Sequence, residues 1–217
     1  AAHYFARHAP EWDRIRSLHV PESRVEAAIL AAIGEERLES VLDVGTGTGR
    51  MLELIAPRAS HAVGLDISPA MLAVARANLH RAGVRNVQLR QADIYALPPE
   101  QSNFSLIVFH QVLHFLDDPA RALREAARLL APSGRLLVVD LAPHAEERLR
   151  SEFAHRRLGF AGDEVAAFMR EAGLDPVSAL TLTPADGEGD VLPVTVWLGR
   201  DRRVQTDAPL RPSLEVA

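Results

Sequence analysis

Three glycines at two-residue intervals, Gly45, Gly47 and Gly49, directly follow the apolar run VLDV at residues 41–44. Because glycine has no Cβ, this spacing after a strand predicts that a ligand lies against the main chain. In open parallel sheets such ligands bind beyond the carboxyl ends of the strands, where the strand order reverses. The glycine loop therefore predicts a parallel sheet with a ligand at the end of its first strand.

The rest of the sequence has the rhythm that such a sheet requires. Strand-like and helical segments alternate, a pattern typical of parallel strands joined by crossover helices. PVSALTLT and LPVTVWLGR, joined by the turn-rich PADGEGDV, predict an antiparallel hairpin at the end. We predict an α/β fold: a doubly wound, seven-stranded Rossmann-like sheet, mostly parallel with a C-terminal antiparallel hairpin, in three αβα layers. Predicted strands are 40–44, 61–67, 86–93, 104–113 and 135–141, and predicted helices are 21–33, 50–58, 68–83, 117–134, 144–160 and 161–174.

The 217 residues are enough for one domain with extensions. We predict an N-terminal helical extension or lid at 1–35, a ligand-binding domain at 36–200 and a loose tail at 201–217. Tyr4, Phe5 and Trp12 form an aromatic cluster in the extension, where they either staple it to the domain or cover a bound molecule.

Composition excludes several classes of function. The chain has no cysteine, which rules out disulfides, thiolate metal sites and thiol catalysis. The net charge is −5 without a block of like charges, so neither a nucleic-acid surface nor a membrane patch is expected. No apolar run reaches about 18 residues, and the first ten residues lack the apolar region of a signal peptide. These features predict a cytoplasmic protein. We expect either a monomer or a homodimer.

The glycine spacing discriminates between possible ligands. The pattern is G-x-G-x-G rather than the G-x-G-x-x-G of dinucleotide sites, and no Gly-Lys-Ser/Thr follows as in a P-loop. Asp43, two residues before Gly45, is poorly placed against a pyrophosphate and favours a cationic ligand such as S-adenosylmethionine (SAM). Asp43 could instead cap the loop by accepting backbone N–H groups.

VLDVGTGTG resembles motif I of the class I SAM-dependent methyltransferases, and VGLDIS and QADIYALP continue the resemblance in order. The similarity covers about residues 22–200. The chain is also similar to the methyltransferase domain of bacterial ArsR-type regulator fusions and to quinone-methylating enzymes. The resemblance implies that Asp66 binds the ribose, Asp93 the adenine amino group, and Ile94 the adenine ring. The remaining implied cofactor residues are Asp43, Gly45, Thr46, Gly47, Gly49, Ile67, Met71 and His110.

The implied reaction is in-line transfer of a methyl group from SAM to a small-molecule acceptor. His110 and His114 flank the end of the fourth predicted strand and are candidate general bases, or else pack around the cofactor. Their spacing of four could place both on one helical turn, but we predict no metal, even with His144 and His155 nearby. An alternative is a SAM- or metabolite-binding regulatory module with little turnover. A nicotinamide-dependent oxidoreductase is disfavoured by the glycine spacing.

Overall fold

The structure, a computed structural model, describes residues 18–97, 103–185 and 191–203. In these residues seven strands form one sheet in the order β3-β2-β1-β4-β5-β7-β6. Neighbours from β3 to β5 are parallel, whereas β7 is antiparallel to both β5 and β6. The predicted fold class is confirmed. The strands are β1 (Leu38–Val44), β2 (Ala59–Asp66), β3 (Val87–Gln91), β4 (Phe104–His110), β5 (Leu130–Leu141), β6 (Leu174–Leu182) and β7 (Val194–Asp201).

The helices begin where the sequence supplies caps. Ser68 Oγ accepts a hydrogen bond from Met71 N at 3.4 Å, as predicted, and Asp118 Oδ1 accepts one from Arg121 N at 2.9 Å. A proline occupies the first turn of each of these two helices. The helices are α1 (Glu22–Ile33), α2 (Arg50–Ile55), α3 (Pro69–Arg81), α4 (Pro119–Ala127), α5 (Arg148–Glu152) and α6 (Gly162–Glu171), with 3₁₀ turns at Ala56–Arg58 and Leu113–Phe115.

Both faces of the sheet are covered, so the central strands are apolar throughout. In β4, Leu106 and Val108 belong to one apolar cluster, and Ile107 and Phe109 belong to the other. Helix α1 contributes to the first cluster, and α4 and α6 contribute to the second. Burial on both faces is the reason that parallel strands read as continuous apolar runs.

The predicted helix 117–134 is too long. It ends at Ala127, and β5 already begins at Leu130. Residues 132–134 do not stop a helix but form an irregular start of β5, where Ser133 has a φ of 60° and the pairing with β4 shifts register. A Cβ at Gly134 would lie 2.8 Å from Phe104 O, so the close approach of β4 fixes this turn.

The predicted helix 144–160 is wrong except for Arg148–Glu152. Ala154 and Gly159 have left-handed φ values of 58° and 83°, which end and redirect the helix. His144 N donates to Leu158 O at 3.1 Å, and Phe160 N donates to Leu141 O at 2.9 Å. Backbone hydrogen bonding to the end of β5 has therefore overridden the helical pattern of this segment.

Some predictions fall on residues that the structure does not describe. The aromatic cluster Tyr4, Phe5 and Trp12 and residues 204–217 lie outside the described ranges. The predicted domain boundaries therefore stay predictions. In the ranges that are described, none of the helices combines the length and the apolar character needed to cross a membrane.

Candidate functional site

A cavity of about 260 Å³ lies at the carboxyl ends of β1, β2 and β4. We call it the cofactor cavity. Its size is near the lower end of small-molecule sites, which are roughly 300–1,000 Å³. Two of the predicted site residues do not line this cavity: Gly49, which lies in the loop beside it, and His114. The predicted site residues in its wall are Asp43, Gly45, Thr46, Gly47, Asp66, Ile67, Met71, Asp93, Ile94 and His110.

The glycine loop presents bare backbone to this cavity. Gly45, Gly47 and Gly49 have φ values of 75°, 53° and 86°, a region that side chains other than glycine rarely adopt. Gly45 N donates to Leu65 O at 2.8 Å, which fixes the loop against β2. A Cβ on Gly45 would lie 2.7 Å from a Val112 methyl group. The loop is thus a cradle that a side chain would fill.

Asp66 ends β2 and anchors the loop. Its Oδ2 accepts from Gly47 N at 2.9 Å, and its Oδ1 accepts from Ser68 N at 2.8 Å. Burial raises the pKa of Asp66 above its ordinary value, against the lowering effect of the backbone donors Ser68, Gly47 and Ile67. Each oxygen keeps a further lone pair, so the carboxylate can also accept from two neighbouring hydroxyls.

Asp43 supports the loop from inside. Its side chain is buried, and its Oδ2 accepts a hydrogen bond from Thr46 Oγ1 at 2.6 Å. This contact ties Asp43 to the loop through a side-chain hydroxyl, whereas the capping interpretation concerned backbone N–H groups and stays a prediction. Because Asp43 also lines the cavity, its negative charge acts on a bound ligand as well.

Apolar side chains form another part of the cavity wall. Ile67 is 43% exposed there, an unusual exposure for a large aliphatic side chain, and Ile94 also lines the wall. Asp93 Oδ1 accepts from Tyr95 N at 2.9 Å, and Tyr95 also lines the cavity. Met71 is almost fully buried below. This part of the wall offers apolar surface and one carboxylate, a combination that suits a flat, hydrogen-bonding ring.

His110 and His114 occupy different places and do not share one helical turn. His110 ends β4 and lines the cofactor cavity, with its Nε2 3.8 Å from Glu22 Oε1. His114 lies in the 3₁₀ turn after β4 and lines a second, smaller cavity of about 40 Å³. Gln111 and Phe115 line both cavities, so the two are contiguous.

A buried carboxylate holds His114. Its Nδ1 lies 2.7 Å from Asp140 Oδ1, and both side chains are almost inaccessible. Asp140 also accepts from Leu113 N at 2.9 Å and from Leu141 N at 2.8 Å. These contacts fix the carboxylate at the end of β5 and, through it, the orientation of the imidazole ring.

His155 covers one face of His114. The two rings stack with centroids 4.1 Å apart and an interplanar angle of 27°. Burial, and then the neighbouring His114 and His144, lower the pKa of His155 to about 3, so this ring is neutral at neutral pH. Among the described residues, no three His, Asp or Glu side chains are arranged to hold a metal ion.

Sequence reasoning missed Gln111 and Asp140. Asp140 carries a readable signal, because it is an acid at the end of an apolar strand, as Asp43 and Asp66 are. Gln111 carries none, because its importance comes from a backbone φ of 57° and from its place between two cavities.

Comparison with known proteins agrees with this geometry. Residues 42–138 match a family model described as a methyltransferase domain. The matched segment runs from β1 to β5 and includes the glycine loop and Asp66. Over these residues the chain is similar to methyltransferases. The matched residues supply most of the cofactor cavity, and the second cavity also uses residues on either side of them.

Several curated relatives share this domain. The chain is 36% identical over 111 residues to a demethylmenaquinone methyltransferase of Thermus thermophilus, covering 50% of each protein. It is 31% identical over 159 residues to a ubiquinone biosynthesis O-methyltransferase of Xylella fastidiosa, covering 66% of this chain and 65% of the relative. The chain thus spans about half to two thirds of the length of these relatives.

Solved structures share the fold. The N-methyltransferase NodS of Bradyrhizobium japonicum, in complex with S-adenosyl-L-homocysteine, superposes with a TM-score of 0.73 at 18% identity. The superposition covers 93% of this chain and 98% of NodS. At this identity the likeness shows that the whole methyltransferase fold is shared, and no more.

Acidification is expected to destabilise the protein through His155. The unfolded chain binds a proton here near pH 6.5, whereas the folded chain does so only near pH 3. This stabilisation is therefore complete above pH 6.5 and is lost as the pH falls towards 3. Between pH 7 and pH 4.5 the free energy of unfolding in urea should fall by on the order of 2 kcal/mol from this group. In the His155→Gln variant the free energy of unfolding should fall less over this pH range. The same pH dependence as in the wild type would contradict a lowered pKa of His155.

Proposed function

We propose that this protein binds S-adenosylmethionine in the cofactor cavity and transfers its methyl group to a small-molecule acceptor. The observation that carries the proposal is the carboxylate of Asp66, held at a strand end beside a glycine cradle with capacity for two hydroxyl donors. A ribose has two neighbouring hydroxyls, which such a carboxylate can accept together.

Each of the other residues would contact a different part of the cofactor. Asp93 would accept the adenine amino group while Ile94 and Ile67 cover the ring, and Asp43 would attract the ammonium group across the glycine loop. Gly45 and Gly47 allow the main chain to approach, and Thr46, Gly49 and Met71 keep the loop and the helix behind it in place. Arg50 and Arg156 also line the cavity, but each lies 2.6 Å from a carboxylate oxygen. The acids Asp43 and Asp66 at the loop suit a ligand that carries a positive sulfur and an ammonium group.

The same charges disfavour a dinucleotide. Asp43 and Asp66 would repel a pyrophosphate at the glycine loop. Arg50, a basic residue of the cavity wall at the start of α2, is held by Glu26 at 2.6 Å and by Glu53 at 3.1 Å. A phosphate would therefore have to compete with two carboxylates for this guanidinium.

The names of the relatives support a small acceptor. Two of them concern demethylmenaquinone and ubiquinone biosynthesis, and a third is a trans-aconitate 2-methyltransferase of Methylobacterium nodulans. The comparisons give no support to a purely regulatory module. A cytoplasmic location, absence of nucleic-acid partners, and a monomeric or homodimeric state stay predictions from the sequence.

When bound, SAM supplies a methyl group on a positively charged sulfur, which needs no further activation. The chain's own contribution is to position the acceptor and to exclude water. His110, buried at the end of β4, lies in the cofactor wall and helps to close it. A base is required only for an acceptor that must lose a proton.

Calorimetric titration tests the proposal. We expect micromolar or tighter binding of SAM and of its demethylated product, and no binding of NADH under the same conditions. The acidic loop is the reason for this ranking. Binding of NADH without binding of either SAM or its product would overturn the proposal.

A further inference from the structure

The second cavity carries an inference that rests on the proposed function. It shares Gln111 and Phe115 with the cofactor cavity, so a molecule in it would lie next to a bound cofactor. Its described walls are mostly apolar and contain four polar side chains, His19, Gln111, His114 and His155, of which the last three carry the inference. The apolar lining residues are Leu18, Phe115, Leu141, Leu149, Phe153 and Leu192.

The first polar group is His114, which has the geometry of a general base. Asp140 can only accept when ionised, so the His114 nitrogen 2.7 Å away, Nδ1, carries the hydrogen. The lone pair is then on Nε2, for which the described residues offer no hydrogen-bond partner. His114 is 2% exposed and lines the cavity, so this nitrogen is reserved for a molecule that enters it.

The second polar group is the amide of Gln111. Its Nε2 is buried and has no hydrogen-bond partner among the described residues. Its backbone is held at a φ of 57° by the hydrogen bond from Gln111 N to Val139 O at 2.8 Å. A left-handed backbone and an unsatisfied buried donor each reduce the stability of the folded protein. Such a cost is typical of functional sites, and here it leaves an N–H donor at the junction of the two cavities.

The third group is His155, whose Nδ1 is also buried without a described partner. It stacks on His114 and excludes water from one face of that ring. No arginine or lysine is among the described lining residues, while the buried carboxylate of Asp140 lies directly behind His114. The cavity therefore disfavours anionic molecules, because an additional negative charge would be buried without a partner.

We propose that the second cavity is the methyl-acceptor subsite and takes an uncharged, largely apolar molecule with a phenol- or enol-type hydroxyl. His114 Nε2 accepts the hydroxyl proton, Gln111 Nε2 donates to the same oxygen, and Asp140 is a positioning residue that fixes the imidazole. A neutral amine would attack with its own lone pair and would not need this oriented base.

The step balances within the site. The O–H bond of the acceptor breaks, and its proton moves to His114 Nε2. The oxygen forms a bond to the methyl carbon while the carbon–sulfur bond breaks and leaves its electron pair on sulfur. The imidazolium, stabilised by Asp140, later returns its proton to water.

The first test is binding, which does not depend on turnover. We would titrate phenol, catechol, hydroquinone and 1-naphthol, with aniline and toluene for comparison, into the protein saturated with S-adenosylhomocysteine. The readout is the ¹H–¹⁵N spectrum of the histidine rings, with His114 assigned from its loss in His114→Asn. At least one hydroxyl compound should bind and shift the Nε2 signal of His114, and toluene should not shift it.

Variants separate the roles. His114→Asn keeps a donor for Asp140 but removes the base, so methyl transfer to the bound phenol should fall about 10²- to 10⁴-fold while its Kd changes less than tenfold. Gln111→Glu keeps the shape but replaces the donor, and should weaken phenol binding at least tenfold. The exposed His80→Gln is the matched control and should behave as wild type.

The outcomes are distinguishable. If no hydroxyl compound binds beside the product, if one binds without moving the His114 signal, or if His114→Asn transfers the methyl group normally, the acceptor proposal is wrong. If the cofactor and its product themselves do not bind, it is the proposed function that fails.

Discussion

Replacing Asp66 with asparagine is expected to weaken SAM binding by about 100-fold or more. A hydrogen bond to a charged group contributes about 1.5–3 kcal/mol, and the carboxylate offers two of them to a ribose. An amide of the same shape keeps one acceptor oxygen, but its NH₂ group would face Gly47 N or Ser68 N, which are donors themselves. A loss of about 3 kcal/mol corresponds to more than a hundredfold in Kd.

Isothermal titration of Asp66→Asn with SAM measures this effect directly. Asp163→Asn, at an exposed position in the first turn of α6, is the matched control and should keep the wild-type Kd. The melting temperature of the ligand-free variant should be recorded beside it, because the loop also depends on Asp66. A Kd within threefold of wild type would exclude Asp66 from the cofactor site.

Replacing Gly159 with alanine is expected to cost about 3 kcal/mol or more of folding stability. The added Cβ would lie 2.1 Å from Ala142 O, a backbone atom that cannot rotate away. The left-handed φ of 83° contributes about 1–2 kcal/mol of strain. Relieving the contact would pull away the next residue, Phe160, whose N–H bonds to Leu141 O, which costs about another kcal/mol.

Two other glycines provide matched controls for this variant. Gly173 has the same φ of 83° but has nothing within 4 Å of a built Cβ, so Gly173→Ala should show only the conformational cost of about 1 kcal/mol. Gly162 has open space and no left-handed φ, so Gly162→Ala should be close to neutral. Urea denaturation of the three variants gives the comparison. Equal losses in Gly159→Ala and Gly173→Ala would show that the contact with Ala142 does not matter.

Local patterns predicted much of the fold correctly. Ser68 with Pro69 marked the start of α3, and the apolar runs marked the central strands, because caps and two-faced burial leave their signature in neighbouring residues. The hairpin of β6 and β7 was predicted for the same reason. The segment after β5 was not predicted correctly. Its sequence has a helical pattern, but its backbone forms hydrogen bonds with residues that are distant in sequence.

The cofactor cavity was predicted from strand ends, whereas the second cavity was not. Acids that follow apolar strands are visible in the sequence, and parallel pairing must bring them to one edge of the sheet. The pairing of His114 with Asp140, 26 residues away, depends on the register of β4 against β5 and on the turn that follows β4. The stacking of His155 on His114 depends on the return of the chain at Gly159.

The sequence by itself determined the fold class, the glycine loop and the acids around it, because glycine conformation, helix caps and apolar strands are properties of short stretches of chain. Only the tertiary structure decided that His110 and His114 face different cavities and that Gln111 stands between them. The reason is physical: strand register and left-handed turns set the direction of those side chains, and both are fixed by contacts between residues far apart in the chain.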